Sequence, residues 1–282
     1  MTAILLDGKK TSEKLLVEAA KKIKTFPKKL KLVVVMVGAD PASRVYVRKK
    51  LEACQNVGII SEKVEYPESV SEKELLGKIR ELNSDDSVTG MIVQLPLPKH
   101  ISTPQVIREI NPHKDVDGFH AYNLGKMFLS PEFEDLPPAT PGGIILFLEE
   151  YNISVSGMNV VVIGKSNIVG KPIAIMLLNR EATVTVCHRH TKNLAEHTKN
   201  ADIVIVAAGK PNLLTADMIR EGAIVIDVGT NHLENGKLVG DVDFENVAKK
   251  AKYITPVPGG VGPMTVAKLI LNTIRAYERS TK

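Results

Sequence analysis

The sequence has no tryptophan, only two cysteines and no long apolar run, and the last two shortages each exclude a class of protein. Cys54 and Cys187 lie far apart and alone, so they fit neither a disulfide framework nor the ligand spacing of a metal site. The longest apolar runs, such as 32–37 and 203–208, are strand-sized, whereas a membrane span needs roughly 18 residues. The segment MTAILLDGKK lacks the basic-then-apolar order of a secretory signal, so we expect a cytoplasmic protein with no membrane partner.

Acidic residues are scarce near the N-terminus, where residues 9–31 contain nine lysines against Glu13 and Glu18, in a chain of net charge +5. A basic segment of this kind can bind nucleic acid. However, aliphatic residues such as Leu15 and Ala19 recur there at helical spacing. The pattern therefore predicts an amphipathic helix with its lysines in solvent, and no nucleic-acid partner.

Apolar runs alternate with amphipathic segments along most of the 282 residues, which is typical of an α/β fold with parallel sheets. The predicted helices cover about 11–24, 43–57, 71–83, 103–110, 140–151 and 265–280, and the predicted strands cover about 30–38, 62–66, 90–98, 160–163, 182–187, 202–209, 223–229 and 253–259.

The length allows two domains, and the proline- and glycine-rich segment 131–143 is the best boundary between them. We predict a first domain over 1–138, completed by a C-terminal helix at 265–282, and a second domain over 139–264. The predicted fold class is two α/β domains that flank a cleft, which is a favoured place for a ligand.

The stretch VVVIGKSNIVGKP at 160–172 carries the most specific local signal. An apolar strand ends at Gly164, and Gly170 precedes another apolar run, so the pattern predicts strand, tight loop and helix. Unpaired N–H groups at a helix N-terminus can hold phosphate, which indicates a Rossmann-like second domain. Ser166 replaces the middle glycine of the usual G-x-G-x-x-G pattern, and its hydroxyl could donate to phosphate. A plain strand-to-helix turn that needs glycine is the alternative.

Tyr46 and Lys50 follow the predicted strand at 30–38 and lie four residues apart, so they share one helical face. Ser43 can cap this helix. A phenol beside an ammonium suits general acid–base chemistry, although an exposed Tyr–Lys pair on a basic helix would have the same spacing.

Two further loops carry polar side chains. Gln94 precedes Pro96 and Pro98, so its amide lies at a rigid corner, where it either orients a water or substrate or is incidental. Asp115 and Asp117 precede a glycine and could form a turn, a metal-ligand pair or a substrate clamp. A carboxylate accepts two parallel N–H donors, which suits an amino-pyrimidine edge, and the further acids of an EF-hand loop are missing.

The strand at 182–187 is followed by CHRHTK, without the acid that NAD sites use to bind the ribose. Arg189 and Lys165 could instead neutralise a 2′-phosphate. We therefore predict NADP rather than NAD. A Cys/His metal site lacks spaced partners, and no metal is predicted.

These clusters, in this order, resemble the bifunctional methylenetetrahydrofolate dehydrogenase/methenyltetrahydrofolate cyclohydrolase family over nearly the whole chain. The matching stretches are VGADPASRVYVRKK, VQLPLPKH, NPHKDVDGFH, TPGG, VVVIGKSNIVGKP, ATVTVCH, LVGDVDF and TPVPGGVGPMT. The resemblance implies oxidation of 5,10-methylenetetrahydrofolate with NADP, hydrolysis of the methenyl product to 10-formyltetrahydrofolate, and a homodimer.

By position, the resemblance also implies roles for single residues. Lys50 would be catalytic with Tyr46 and Gln94 as partners, Asp117 would bind the pterin, and Ser43 matches a serine at the start of the lysine helix. Implied substrate-binding positions in a loop that lines the active site are Pro258, Gly259 and Gly260. Implied cofactor-binding positions are Gly164, Lys165, Ser166, Ile168, Val169, Gly170, Arg189 and Thr230.

The chain departs from the family pattern at four positions. Lys165 stands where arginine is usual and Arg189 where serine is common, while Ala139 and Thr230 stand where cysteine and isoleucine are usual. The first two keep positive charge, so NADP remains the expected cofactor.

Two other functions are compatible with a nucleotide-binding loop. One is a two-domain NAD(P) dehydrogenase of a small hydroxy or keto acid, which needs a histidine or arginine pair for a carboxylate that we do not find. The other is a non-catalytic nucleotide-binding regulator, which has no need for the polar set Tyr46, Lys50, Gln94 and Asp117.

Overall fold

Apolar runs form most of the strands and amphipathic segments form most of the helices in the computed structural model, which describes residues 3–233 and 236–281. The strands are β1 (Ile4–Leu5), β2 (Lys31–Val37), β3 (Ile60–Tyr66), β4 (Gly90–Val93), β5 (Asn159–Ile163), β6 (Thr183–Cys187), β7 (Ile203–Val206), β8 (Ile224–Asp227), β9 (Asn231–His232), β10 (Leu238–Val239) and β11 (Tyr253–Ile254). The helices are α1 (Gly8–Ile23), α2 (Pro41–Val57), α3 (Glu72–Ser84), α4 (Thr103–Glu109), α5 (Ala121–Leu129), α6 (Ala139–Glu150), α7 (Gly170–Leu178), α8 (Leu194–Thr198), α9 (Phe244–Val247) and α10 (Val261–Ser280).

All neighbouring strands of the two larger sheets, as described, are parallel. One sheet has the strand order β3-β2-β4 and the other the order β1-β11-β8-β7-β5-β6, while β9 and β10 form an antiparallel pair. Strands β4, β7 and β8 are buried along their whole length, as expected where both faces of a parallel sheet are covered. The predicted α/β fold class with a mostly parallel sheet is confirmed.

The chain divides into two compact units, each with its own sheet. The six-stranded unit comprises Met1–Ser12, Met127–Pro131 and Thr140–Thr265, and the three-stranded unit comprises Glu13–Lys126, Glu132–Ala139 and Val266–Lys282. Residues 1–12 thus group with the second half of the chain, although the boundary chosen from the sequence assigns 1–138 to the first domain. Strand β1 explains this grouping, since its two residues pair with β11.

Alternate residues of β2 enter two different hydrophobic clusters of the three-stranded unit. Val34 packs in a cluster with Cys54 of α2 and Leu269 of α10. Val33 packs in the other cluster, which includes Ile79 of α3. The period of two residues along a strand therefore gives β2 a covered face on each side.

Helix α1 has the predicted amphipathic character. Leu15, Ala19 and Ile23 are buried, while Lys21 and Lys22 in its last turn are exposed. The lysines therefore lie on the solvent face. Their positive charges also interact favourably with the negative C-terminal end of the helix dipole.

Helix α2 begins earlier than predicted, and the prediction that Ser43 caps it is wrong. Asp40 is the N-cap, and its Oδ2 accepts a hydrogen bond from the backbone N–H of Ser43 at 2.7 Å. Pro41 suits the first helical position because a proline lacks the N–H that would be unpaired there. Ser43 is buried in the first turn.

Prolines shorten two of the predicted strands. Strands β4 and β11 end at Val93 and Ile254, before the prolines that follow each of them, because proline cannot donate to a strand ladder. Helix α10 starts at Val261 rather than Thr265, since Pro263 is tolerated in the first turn of a helix.

The loop between β5 and α7 is as tight as its two glycines predict. Gly164 has φ of 133°, and a Cβ at this position would lie 2.3 Å from the carbonyl oxygen of Ala207. A Cβ on Gly170 would lie 2.1 Å from the carbonyl oxygen of Gly164. The backbone of the loop therefore packs directly on itself and on the segment after β7.

We expect Gly164→Ala to lower the free energy of unfolding by about 2 kcal/mol or more, because the new methyl group meets backbone atoms at an unfavourable φ. Gly77→Ala is the matched control, since a Cβ there meets nothing within 4 Å and lies in the interior of α3. The free energy of unfolding of the control should be unchanged or higher by up to about 1 kcal/mol. Urea unfolding followed by circular dichroism measures both, and equal stability of the two variants would contradict the prediction.

Candidate active site

The ammonium of Lys50 is the centre of a polar cluster in the three-stranded unit. Lys50 lies on α2 and is only 6% exposed. Its Nζ donates a hydrogen bond to Gln94 Oε1 at 3.2 Å and lies 3.6 Å from Asp117 Oδ1. Three of the residues selected from the sequence thus come together, one from α2, one from the end of β4 and one from the loop before α5.

Gln94 is held by the sheet and by its own loop. Its backbone N–H donates to Val35 O at 2.8 Å, which continues the pairing of β4 with β2. Its side-chain Nε2 donates to Leu95 O at 2.8 Å. One N–H of the amide is therefore bonded within the loop, and the amide oxygen faces Lys50.

The main chain around Asp117 is fixed from two sides. Its carbonyl oxygen accepts a hydrogen bond from Ala139 N–H at 3.3 Å. On α10, the buried Asn272 donates through Nδ2 to Val116 O at 2.9 Å and to Pro137 O at 2.8 Å. Asn272 was not selected from the sequence, because nothing in an amphipathic helix pattern marks one polar residue as a crosslink.

Asp115 organises the same loop rather than extending the cluster. Its carboxylate accepts hydrogen bonds from the backbone N–H groups of Gly118 and His120, at 3.1 Å and 2.7 Å, and from Asn123 Nδ2 at 3.1 Å. Burial raises the pKa of Asp115, and the hydrogen bonds from His120 and Asn123 oppose that rise. Of the three roles open for the Asp115–Asp117 pair, Asp115 thus has the geometry of a turn-forming residue.

Tyr46 and Ser43 lie on the same helix as Lys50. Tyr46 is half-buried one turn before Lys50, and Ser43 is buried in the first turn of α2. The face of α2 that carries Lys50 therefore offers a phenol and an ammonium, together with the amide of Gln94 and the carboxylate of Asp117. Such a set can donate and accept protons in a place largely shielded from water.

The phosphate-loop candidates lie between β5 and α7 in the six-stranded unit. Ser166 Oγ accepts hydrogen bonds from the backbone N–H groups of Val169 and Gly170, at 3.1 Å and 3.3 Å. The serine therefore pairs the N–H groups of Val169 and of the first residue of α7, and its hydroxyl proton stays available to an acceptor such as phosphate. Lys165 and Ile168 are exposed on the same loop.

The segment after β6 forms a compact turn that exposes Arg189. The backbone N–H of His188 donates to Thr191 Oγ1 at 2.9 Å, and that of His190 donates to His188 Nδ1 at 3.2 Å. Arg189 Nε donates to His190 Nε2 at 3.2 Å. The guanidinium is thus tethered at one nitrogen, and its other donors remain available for an anion.

The remaining selected residues lie at the end of β8 and before α10. Thr230 is exposed three residues after β8 ends. Gly259 has φ of 104°, and its carbonyl oxygen accepts a hydrogen bond from Lys9 N–H at 3.1 Å. The loop of Pro258, Gly259 and Gly260 is therefore held against the start of α1, all within the six-stranded unit.

Two buried carboxylates near these loops were not selected from the sequence. Asp227, at the end of β8, accepts hydrogen bonds from the N–H groups of Gly229, Asp241 and Val242 at 2.9, 2.9 and 3.0 Å. Burial raises its pKa from 3.8 to about 6, against the pull of these three donors. Asp241 is fully buried beside it. The signal available in the sequence was the acid that ends the apolar run of β8.

Within residues 3–233 and 236–281, no three His, Cys, Asp or Glu side chains are grouped so as to hold a metal ion. In the same part of the chain, no helix combines the length and apolar character needed to cross a bilayer.

Comparisons with known proteins match both halves of the chain. The family model described as "Tetrahydrofolate dehydrogenase/cyclohydrolase, catalytic domain" matches residues 6–117, and the "NAD(P)-binding domain" of the same family matches residues 138–281. A curated relative, the bifunctional protein FolD of Nautilia profundicola, is 54% identical over 281 residues, which are 99% of this chain and 98% of that protein.

Solved structures agree over the same length. The bifunctional enzyme FolD of Campylobacter jejuni is 50% identical with a TM-score of 0.94, and the match covers 98% of this chain and 99% of that one. The dehydrogenase-cyclohydrolase of Trypanosoma brucei, solved with NADP cofactor and an inhibitor, is 34% identical with a TM-score of 0.96. This match covers 100% of this chain and 99% of that one. The chain therefore belongs to the tetrahydrofolate dehydrogenase/cyclohydrolase family.

Proposed function

We propose that the protein oxidises 5,10-methylenetetrahydrofolate to 5,10-methenyltetrahydrofolate with NADP⁺ and hydrolyses that product to 10-formyltetrahydrofolate. The observation that carries the proposal is the contact of Lys50 with Gln94 and Asp117 in a chain of this family. One shielded cluster supplies both a substrate-binding carboxylate and a proton-transferring amine.

Asp117 binds the pterin ring in this proposal. A carboxylate accepts two parallel N–H bonds, and the amino-pyrimidine edge of the pterin presents such a pair. Asp117 is only 8% exposed, so these bonds form largely out of water, where they are stronger. Because Asp117 Oδ1 lies 3.6 Å from Lys50 Nζ, a pterin bound there is held close to the ammonium.

Lys50 moves protons during hydrolysis. Water adds to the cationic methenyl carbon and loses a proton, and the adduct then opens as its bond to the ring nitrogen N5 breaks. The departing nitrogen needs a proton, which the ammonium of Lys50 donates, and the formyl C=O forms as the adduct hydroxyl releases its own proton. One proton is released overall, and Lys50 regains its proton for the next turnover. Gln94 Oε1 accepts from Lys50 Nζ and so orients the donor. Tyr46 adds a phenol hydroxyl one turn away on the same helical face.

The six-stranded unit has the features needed to hold a dinucleotide. The tight approach at Gly164 leaves no room for a side chain in the loop before α7, and the hydroxyl proton of Ser166 can reach a phosphate oxygen. When bound, NADP⁺ supplies the hydride acceptor for the oxidation. Among the residues named above, Arg189 and Lys165 are exposed cations for the 2′-phosphate, and the Trypanosoma brucei relative was solved with NADP.

We further propose a cytoplasmic homodimer. Large apolar side chains are exposed in the six-stranded unit, with Phe128 and Leu129 at 66% and 69% and Leu178 at 55%. Asn179 Nδ2 donates to Met127 O at 2.7 Å, so these side chains belong to neighbouring segments. Apolar surface of this kind on a soluble enzyme supports contact with a second copy, and analytical ultracentrifugation tests the state directly.

The alternative functions have less support. The sequence shows no histidine or arginine pair suited to the carboxylate of a small hydroxy or keto acid, and a non-catalytic regulator has no need to bury Lys50. Absorbance of the purified protein with methylenetetrahydrofolate and NADP⁺ tests the proposal, since NADPH signal must grow and the methenyl band must then decay. Absence of both NADPH formation from NADP⁺ and NADH formation from NAD⁺ would refute it.

We expect Lys50→Met to reduce the hydrolysis of methenyltetrahydrofolate by roughly 10²-fold or more, because it removes the proton-transferring amine. Lys49→Met is the matched control, since Lys49 is the exposed neighbour on the same helix, and it should retain turnover. The decay rate of the methenyl absorbance measures both variants. NADP⁺ binding and the circular dichroism spectrum should not change in either. Full hydrolysis by Lys50→Met would remove Lys50 from the mechanism.

We expect Arg189→Ala to narrow the preference for NADP⁺ over NAD⁺ by roughly tenfold, the value of one charge-assisted contact to the 2′-phosphate. The measurement is the ratio of kcat/KM for the two nucleotides. Arg108→Ala, an exposed arginine on α4 of the other unit, should leave the ratio unchanged. If Arg189→Ala also leaves it unchanged, the 2′-phosphate is bound elsewhere.

A further inference from the structure

The carboxylate of Asp241 closes the turn that follows β7. Its Oδ2 accepts hydrogen bonds from the N–H groups of Ala208 and Gly209 at 2.7 Å and 2.8 Å, and its Oδ1 accepts from Lys210 N–H at 2.9 Å. Three consecutive backbone donors thus point to one fully buried acid. A charged acceptor makes these bonds stronger than bonds between neutral groups.

Asp241 also holds the segment that follows β8. Asn231 Nδ2 donates to Asp241 Oδ1 at 2.8 Å and to Gly240 O at 3.2 Å. The N–H of Gly229 donates to Asp227 Oδ1 at 2.9 Å. Thr230, the exposed cofactor-binding candidate, therefore stands between two residues that are each bonded to a buried carboxylate.

A hydrogen bond links the backbone of Asp241 to the side chain of Asp227. The N–H of Asp241 donates to Asp227 Oδ1 at 2.9 Å, and the N–H of Asp227 donates to Thr255 Oγ1 at 2.7 Å. A Cβ on Gly240 would lie 1.9 Å from Asp227 Oδ2, so the chain passes as closely as glycine allows. We call Asp227 and Asp241 the carboxylate clamp.

The clamped turns lie where a dinucleotide binds in this fold. Strands β5, β7 and β8 are parallel neighbours, and ligands of such sheets lie outside the carboxyl ends of the strands. The turn after β7 touches the phosphate loop, because a Cβ on Gly164 would lie 2.3 Å from Ala207 O. The clamp thus joins the backbone of the turns that follow β7 and β8, next to the loop that follows β5.

We propose that Asp241, supported by Asp227, is a positioning residue. It holds the backbone of the turns after β7 and β8 in the conformation that binds NADP. The inference rests on the proposed function, since it assumes that these turns receive the cofactor. Asp241 is fully buried and so acts through the backbone of Ala208–Lys210 and through Asn231. In Asp241→Asn one oxygen becomes an NH₂ group, which cannot accept from the N–H groups that face it, so at least one backbone donor loses its partner and the turn shifts.

The test compares Asp241→Asn with Asp243→Asn. Asp243 lies two residues away, and its Oδ2 accepts from Asn246 Nδ2 at 2.7 Å, outside the clamp. Calorimetric titration with NADP⁺ gives Kd, and the dehydrogenase assay gives KM for NADP⁺. Hydrolysis of methenyltetrahydrofolate without nucleotide reports the Lys50 cluster separately.

We expect Asp241→Asn to raise Kd and KM for NADP⁺ by about tenfold or more, with hydrolysis within about twofold of the unmodified protein, and Asp243→Asn to change neither. If Asp241→Asn does not fold, Asn231→Ala removes a single donor from the clamp and should raise the NADP⁺ constants by about threefold. The proposal is overturned if the folded clamp variant binds NADP⁺ normally. It is also overturned if hydrolysis falls by the same factor as NADP⁺ binding, which indicates general loss of structure.

The two proposals fail in different ways. If the unmodified protein neither binds NADP⁺ nor forms NADPH, the proposed function is wrong. If the unmodified protein is active and Asp241→Asn matches it in Kd and KM, only the role of the clamp is wrong.

Discussion

The burial of one ammonium group is the constraint on which the three-stranded unit depends. A charged group taken out of water costs several kcal/mol unless it is paired and hydrogen-bonded. Lys50, at 6% exposure, meets this requirement through Gln94 and Asp117. Because its two partners come from the end of β4 and the loop before α5, the pairing also fixes those segments relative to α2. The same contacts that make burial tolerable therefore place the chemical groups together.

Parallel strand direction explains why each unit gathers its polar groups at one edge. In the three-stranded sheet, Gln94 directly follows β4, and Asp40 caps the helix that follows β2. In the six-stranded sheet, the loop before α7, the turn with Arg189 and the two turns held by Asp227 and Asp241 each follow a strand, β5 to β8 in all. Since the carboxyl ends of parallel strands meet at one edge, residues far apart in sequence become neighbours without any long-range signal in the sequence.

The α/β class and the tight loop between β5 and α7 could be predicted because each depends on local patterns. Apolar runs mark strands, and the glycines of the loop mark a backbone that excludes side chains. The strand β1 could not be predicted from two apolar residues, since its existence depends on pairing with β11. The cap of α2 was assigned to Ser43 because serine is a common cap, although Asp40 before a proline carries the same signal.

The residues that hold the site loops in place were harder to predict from the sequence than the candidate site residues themselves. Asn272 acts through carbonyl oxygens at Val116 and Pro137, which are brought to it only by tertiary folding. Asp241 lies in the stretch LVGDVDF, which carried no site residue in the sequence analysis, and three of its partners are backbone N–H groups. Backbone donors are present in every residue and leave no trace in the sequence, so a buried acid that binds them is indistinguishable from a turn residue until the fold is known.

The buried carboxylate of Asp227 lowers the stability of the fold at neutral pH. The native pKa of about 6 lies above the ordinary value of 3.8, so between these values the native state binds more protons than the unfolded state. The contribution of this group to stability is therefore complete below about pH 4 and lost as the pH rises through 6, and the ionised form costs about 3 kcal/mol at neutral pH. An apolar residue would avoid that cost but would leave three backbone N–H groups without an acceptor. Retaining a costly carboxylate is thus the physical consequence of bringing the turns after β8 and β10 close enough to share one acceptor.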